Sequence, residues 1–369
     1  MGVEGKSASI ALFGASVTEQ GREDSYWGEL KRIEARRRIG GEPPWDFSRL
    51  SYASSHFGGA GVMNLDHIIA ARPDIVVLDW LSTDETDVDS SLINIVFEEL
   101  RRKQIRVICT SFLRADTWEK TTPLYEKMWL ACERINASFL DFRHECDRRG
   151  LGWSDVTRDG VHTNKEGAAF YAEVISEELA RITSGQEPTR TRHPNFNPDA
   201  TQSALLTSSP AQSKLSVPEP RISFCSIGAE LAINVHQRLR LTTVSTVKMA
   251  PHSQLLASIW CMQTVGPFSP MLNIRVEGQG WGDERNLLDR WCHYARFAYK
   301  EIASGLDLAP RPNMQEIMIE ISDADPTSQI EDERVREAVV PAGQRLIRLH
   351  DRLACLNCAV VDIAVEEKQ

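Results

Sequence analysis

Two short stretches of this chain carry residue types that together can do nucleophilic chemistry. The first is Gly14-Ala15-Ser16-Val17-Thr18, at the end of the apolar run ASIALFG (8–14). A serine at the mouth of a parallel sheet, where a helix begins, stands where such folds bind ligands. Backbone N–H groups at that point can also stabilise an oxyanion. The stretch is not the G-x-S-x-G elbow, because its fifth residue is Thr18. The second stretch is Asp159-Gly160-Val161-His162, just ahead of KEGAAFYAEVISEELARI (165–182). A carboxylate three residues from an imidazole can orient the ring and stabilise its cation. The ring can then take a serine's proton and later return it to a leaving group. Each motif alone is common, and a serine beside a helix start also serves as a cap. Their placement in one chain makes the pair more specific.

The elements that must position them alternate. Strand-like runs at 8–14, around Leu50–Ala53, at PDIVVLDWL (73–81), at IRVICTSF (105–112) and at ASFLDF (137–142) are separated by helix-like stretches at 25–38, 62–71, 90–103 and about 122–136, and 165–182 closes the series. This alternation implies parallel pairing through right-handed crossovers, and continuous apolar strands imply helices on both faces. The expected domain is an α/β, doubly wound sheet over residues 1–183. From 184 to 220 the chain holds six of its 17 prolines and few large apolar residues, the composition of a linker. From 221 to 369 short β-rich runs separated by Pro, Gly and Asn predict a β-sandwich, with one helical candidate near 287–303. The charge run IEDERVRE (330–337) reads as a solvated face.

At residues 8–183 the sequence resembles the SGNH/GDSL hydrolase family. Its opening block G-D-S-x-T is matched by Gly14, Ser16 and Thr18, with Ala15 where Asp is usual, and its helix start by Tyr26-Trp27-Gly28-Glu29-Leu30. Its second block, which supplies an oxyanion-hole glycine, falls in Ser54-Ser55-His56-Phe57-Gly58-Gly59-Ala60-Gly61, with Gly59 in that place. Its G-x-N-D block aligns with the end of Val76–Asp84 and puts Thr83 where the family has Asn. The last block is matched by Asp159, His162 and Asn164-Lys165-Glu166-Gly167. The resemblance implies a flavodoxin-like three-layer fold. It also implies Ser16 as nucleophile, His162 as base and Asp159 as its orienting acid. Ser16 and Gly59, helped by Thr83, would form the oxyanion hole, with His56 and Asp84 as substrate contacts and His56 as an alternative third donor. The expected reaction is hydrolysis of a small acyl ester, an acetyl group on a carbohydrate. The alternatives are acyl transfer to a sugar hydroxyl, and a catalytically inactive carbohydrate-binding or interaction protein on the same fold.

Composition bounds the partners. The 369 residues are 42% hydrophobic and 25% charged, with a net charge of −10, ordinary for a globular protein and against general nucleic-acid affinity. Neither a membrane-length apolar run nor a signal-peptide pattern is legible, which predicts a cytoplasmic protein. The eight cysteines are thinly spread, and only Cys355 and Cys358 have C-x-x-C spacing. They are read as reduced core filler. No histidine cluster has ligand spacing, so neither metal nor cofactor is expected. Self-association, where it occurs, is expected through the C-terminal domain.

Overall fold

Residues 7–21, 24–52, 56–62, 64–83, 88, 90–199 and the strands between 222 and 367 are described by a computed structural model, which divides the chain into units 1–218 and 219–369. The first unit is built on five parallel strands, β1 (Ala8–Gly14), β2 (Trp45–Ser51), β3 (Ile75–Asp79), β4 (Arg106–Ser111) and β5 (Ser138–Asp141). Their order is β2-β1-β3-β4-β5. This is the flavodoxin-like order, in which the connections leave in opposite directions on either side of β1 and β3. The helices are α1 (Ser16–Glu19), α2 (Tyr26–Ile39), α3 (Leu65–Ala71), α4 (Ser90–Arg102), α5 (Pro123–Arg134), α6 (Phe142–Arg149), α7 (Trp153–Val156) and α8 (Lys165–Thr183).

Strand alternation sorts the core into two layers. On one face Ile10, Leu12, Ile75, Val77, Ile108 and Leu140 join Tyr26 and Leu30 of α2 and Phe170, Tyr171 and Ile175 of α8 in one apolar cluster. Ala11, Phe13, Val76, Leu78, Cys109 and Phe139 alternate with them and are equally buried, and α4 packs against α5. Burial on both faces is why β1, β3 and β4 read as unbroken apolar runs. The three-layer α/β expectation therefore describes the first unit.

Three local expectations change. The second strand lies at 45–51, ahead of its expected position. It is an edge strand whose exposed Asp46 and Ser48 alternate with more covered residues, so it carries no apolar run to recognise. The helices α6 and α7 were not expected. The sequence FRHECDRR is strongly charged, yet Asp141 caps it by accepting the His144 N–H at 3.0 Å, and Phe142 and Cys146, one turn apart, fill its buried side. Finally, residues 184–199 of the expected linker lie on the first unit. Phe139 N–H donates to Thr189 and Thr191 N–H to Phe139, at 2.9 and 2.8 Å. Phe196 is buried between Tyr125 and Trp129. The proline content conceals these few anchoring side chains.

The second unit contains β6 (Ile222–Asn234), β7 (Leu241–Met249), β8 (Leu255–Gln263), β9 (Leu272–Gly278), β10 (Trp281–Asn286), β11 (Arg296–Leu306), β12 (Gln315–Asp323), β13 (Gln344–Leu356) and β14 (Cys358–Glu367). They form two antiparallel sheets, β10-β9-β12-β7-β14 and β11-β8-β13-β6. The helix expected near 287–303 is corrected: Arg296–Leu306 is a strand paired with β8, where the aromatic and apolar residues of RFAYKEIASGL suit a pleated surface as well as a helix. Cys355 is the penultimate residue of β13 and Cys358 the first of β14, in different sheets. The run 330–337 lies outside the described residues.

Candidate active site

Because all five strands run parallel, their C-terminal ends share one edge, and the residues singled out by sequence follow those ends. Ser16 follows β1, Gly59 follows β2 and Thr83 follows β3, on either side of the β1/β3 switch point where open α/β sheets bind ligands.

The turn carrying Ser16 is held from below. Ala15 N–H donates to the Asp79 carbonyl at 2.8 Å. The Asp79 carboxylate accepts the Thr18 N–H at 3.0 Å and hydroxyl at 2.7 Å on one oxygen, and the Ser82 hydroxyl at 2.7 Å on the other. Since the Thr18 proton goes to Asp79, Tyr26 donates its own to Thr18, at 2.7 Å. A Cβ at Gly14 would lie 2.6 Å from Asp79 Cβ and from Thr18 Oγ1, so only glycine lets β1 pass this network. Gly14 and Thr18 are thus supports for the turn of Ser16. Arg49 of β2 donates to the carbonyls of Thr18, Glu19 and Gln20 at 3.2 to 3.4 Å, satisfying the end of a four-residue helix that cannot persist alone. Ser16 is partly exposed, and neither its hydroxyl nor its N–H has a hydrogen-bond partner among the described residues.

Asp159 and His162 sit at the tip of a loop closed by the Thr157–Thr163 bridge and by Arg158 N–H donating to the His162 carbonyl at 2.9 Å. Asp159 Oδ1 accepts the N–H groups of Val161 and His162 at 3.1 and 2.7 Å, and Oδ2 lies 2.8 Å from His162 Nδ1. A carboxylate in that position fixes the proton on Nδ1 and leaves Nε2 as the acceptor. Gly160 has φ +88°, and Ala115 N–H donates to its carbonyl at 2.8 Å. This ties the loop to the segment after β4. The loop also reaches the turn of Ser16, where Gln20 bonds both main-chain groups of Thr163. No hydrogen bond joins Ser16 Oγ to His162, a contact that in unliganded sites is often long.

The two carboxylates at this edge titrate in opposite directions. Burial pushes Asp79 up to about 6, against the Ser82 and Thr18 hydrogen bonds and the charge of His162. Partial burial also acts to raise Asp159, but the N–H and ring of His162 and the Val161 N–H outweigh it and hold its pKa below the ordinary carboxylate value. Tyr26, wholly buried beside Asp79, is raised.

Gly59 lies in a single π-turn, Phe57–Gly61, closed by Gly61 N–H to the His56 carbonyl at 3.2 Å. A Cβ at Gly61 would meet Phe57 and Trp80 at 3.0 and 3.2 Å. The glycine-rich run thus lets the turn lie flat on buried Trp80. The Thr83 hydroxyl donates to the Trp80 carbonyl at 3.0 Å, which uses its one proton, whereas the His56 Nδ1 is buried without a partner. Asp84 lies outside the described residues. Arg114 donates to the Ser82 carbonyl at 3.2 Å while gripping Asp116. Asp79, Gln20, Thr163 and Arg114 were not singled out as site residues. Each acts through contacts far apart in sequence, and only the strand-ending position of Asp79 gives a local sign. Among the described residues no group of three or more His, Cys, Asp or Glu is placed to hold a metal, and no helix is long and apolar enough to cross a membrane.

The sequence matches no protein-family model and no curated protein significantly. Among solved structures, it is similar to a two-domain esterase active on acetylated mannans, with a TM-score of 0.53 at 12% identity, over 99% of this chain and 92% of that one. The same esterase co-crystallised with mannopentaose matches equally, with a TM-score of 0.53 at 12% identity and the same coverage. An acetyl xylan esterase matches 46% of this chain and 98% of its own, at 17% identity and a TM-score of 0.38. The likeness is one of fold, and it agrees with the parallel α/β sheet of the first unit.

Proposed function

We propose that the chain is a serine carboxylic ester hydrolase of the SGNH/GDSL type, removing a small acyl group, acetyl, from a carbohydrate. The observation that carries the reading is the 2.8 Å contact of Asp159 with His162 Nδ1 on a loop fastened to the turn of Ser16. In this mechanism His162 Nε2 takes the proton as Ser16 Oγ adds to the ester carbonyl. The N–H groups of Ser16 and Gly59 hold the oxyanion. The same proton passes to the departing sugar oxygen; water, deprotonated by His162, then adds to the acyl carbonyl, and that proton passes to Ser16 Oγ as the acid leaves. His56 is preferred over Thr83 as third donor, because the Thr83 proton is engaged and the His56 nitrogen is unpaired.

The fold likeness to an esterase active on acetylated mannans makes acetylated manno-oligosaccharides the first natural-type substrates to try. The two sheets of the second unit are read as a sandwich accessory domain and as the surface for self-association, which light scattering on the full chain checks. The central test is labelling by a serine-directed fluorophosphonate together with hydrolysis of p-nitrophenyl acetate. Labelling and turnover lost in Ser16→Ala support the reading. A wild type that neither labels nor hydrolyses, or a Ser16→Ala variant that labels equally, overturns it. Faster acyl transfer to an added sugar than to water would make the enzyme an acyltransferase.

A further inference from the structure

The turn carrying Ser16 and the loop carrying His162 come from opposite ends of the first unit's sequence, and one side chain spans the 143 positions between their neighbours. Gln20 follows α1 directly, its own N–H bonded to the Ser16 carbonyl at 3.1 Å. It therefore rides on the same helical turn as the nucleophile. Its carboxamide lies against Thr163, the residue after His162. Oε1 accepts the Thr163 N–H at 3.2 Å, and Nε2 donates to the Thr163 carbonyl at 3.3 Å and to the Asp24 carbonyl at 3.4 Å.

A main-chain N–H only donates and a carbonyl only accepts, so these partners fix which end of the amide faces which. The side chain thus imitates the peptide group of a neighbouring strand and satisfies both polar groups of Thr163, which is wholly buried. The Thr163 hydroxyl, 3.1 Å from Gln20 Oε1, has its nearer acceptor in the Asp24 carbonyl at 2.5 Å, closing the clamp from a second side. The other braces of the loop, the Thr157–Thr163 bridge and the Ala115–Gly160 bond, do not reach the turn of Ser16. The bonds of Gln20 do.

We infer that Gln20 is a positioning residue whose carboxamide sets the His162 ring relative to the Ser16 hydroxyl without itself touching substrate. The inference rests on the serine-hydrolase reading above. A misplacement of about 1 Å between reacting groups can cost about 100-fold in rate. Because Gln20 acts through Thr163, the loss falls on kcat and on the labelling rate, not on KM.

The test uses the full chain with Gln20→Met, which keeps the length and removes every polar contact, and Gln20→Glu, which keeps an acceptor for the Thr163 N–H and loses the donors. Gln20→Met is expected to lower kcat for p-nitrophenyl acetate and the fluorophosphonate labelling rate by about 30- to 100-fold, with KM within about twofold. Gln20→Glu should recover part of that loss. Amide exchange at Thr163 should quicken in Gln20→Met while exchange in β1 and β3 is unchanged. A Gln20→Met enzyme with wild-type kcat and labelling overturns the inference, as does a rate loss that tracks global unfolding and vanishes on cooling. A wild type that neither labels nor turns over defeats the hydrolase reading instead. In that case exchange at Thr163 decides alone whether Gln20 holds the loop, and unchanged exchange overturns it.

Discussion

Asp79 and Asp159 are two carboxylates at one edge of one sheet, both within electrical reach of His162, and they are built for different work. Asp79 is wholly buried, its oxygens committed to Thr18 and Ser82, and burial raises its pKa to about 6. Asp159 is about half exposed, and two N–H groups and the imidazole hold it below the ordinary carboxylate value. The buried acid fastens a turn, and the exposed acid stays ionised across a wide pH range. An orienting partner for a general base has to keep its charge while the base gains one. In the proposed mechanism that requirement favours Asp159, although Asp79 is the better buried of the two and the closer to the turn of Ser16.

Ser16→Ala and His162→Ala should each lower kcat by about 10^4- to 10^6-fold, and the double variant should lose little more, because the two act as a unit. Asp159→Asn should cost about 10^2- to 10^4-fold in kcat and leave urea stability within about 0.5 kcal/mol. Asp79→Asn should do the reverse, sparing most of the rate. If it is Asp79→Asn that removes the rate and Asp159→Asn that spares it, the roles assigned to the two acids are exchanged.

The pH dependence of folding sharpens the same contrast. Between about pH 4 and 6 the unfolded chain releases the Asp79 proton while the folded chain retains it, so the contribution of Asp79 to stability falls as pH rises. Asp159 contributes in the opposite sense: its stabilisation is present above the unfolded pKa and is lost as pH falls through its lowered folded value. Urea titrations at pH 4 and pH 7 should therefore find Asp79→Asn gaining about 2–3 kcal/mol on the wild type across that interval. The smallest effect expected is at the oxyanion donors. His56→Ala should lower kcat about 100-fold and Thr83→Ala no more than about threefold. The opposite ranking in p-nitrophenyl acetate turnover would return the third donor to Thr83.

Legibility in the sequence followed the locality of the signal. The strands β1, β3 and β4 were readable because burial on both faces leaves apolar runs, and Asp159 and His162 because their contact spans three positions. The edge strand β2 was misplaced for want of such a run. Asp79 was visible only as a lone carboxylate within the apolar run IVVLDWL, and its role depends on Thr18, which is 61 positions away. The Gln20–Thr163 clamp has no local signature at all. In the second unit the stretch 296–306 fits either period, and its pairing with β8, remote in sequence, is what makes it a strand.

The segment 186–199 has a practical consequence for anyone dividing the molecule. Phe139 exchanges main-chain hydrogen bonds with Thr189 and Thr191, Asp141 N–H donates to the Thr191 hydroxyl, and Phe196 seals the end. A chain cut just after α8 would uncover the outer side of β5, and open main-chain donors and acceptors on a sheet border recruit strands from other molecules. The same protein ended after Asp199 would keep that border closed. The choice of sixteen residues (184–199) would then separate a monodisperse first unit from one prone to edge-to-edge aggregation.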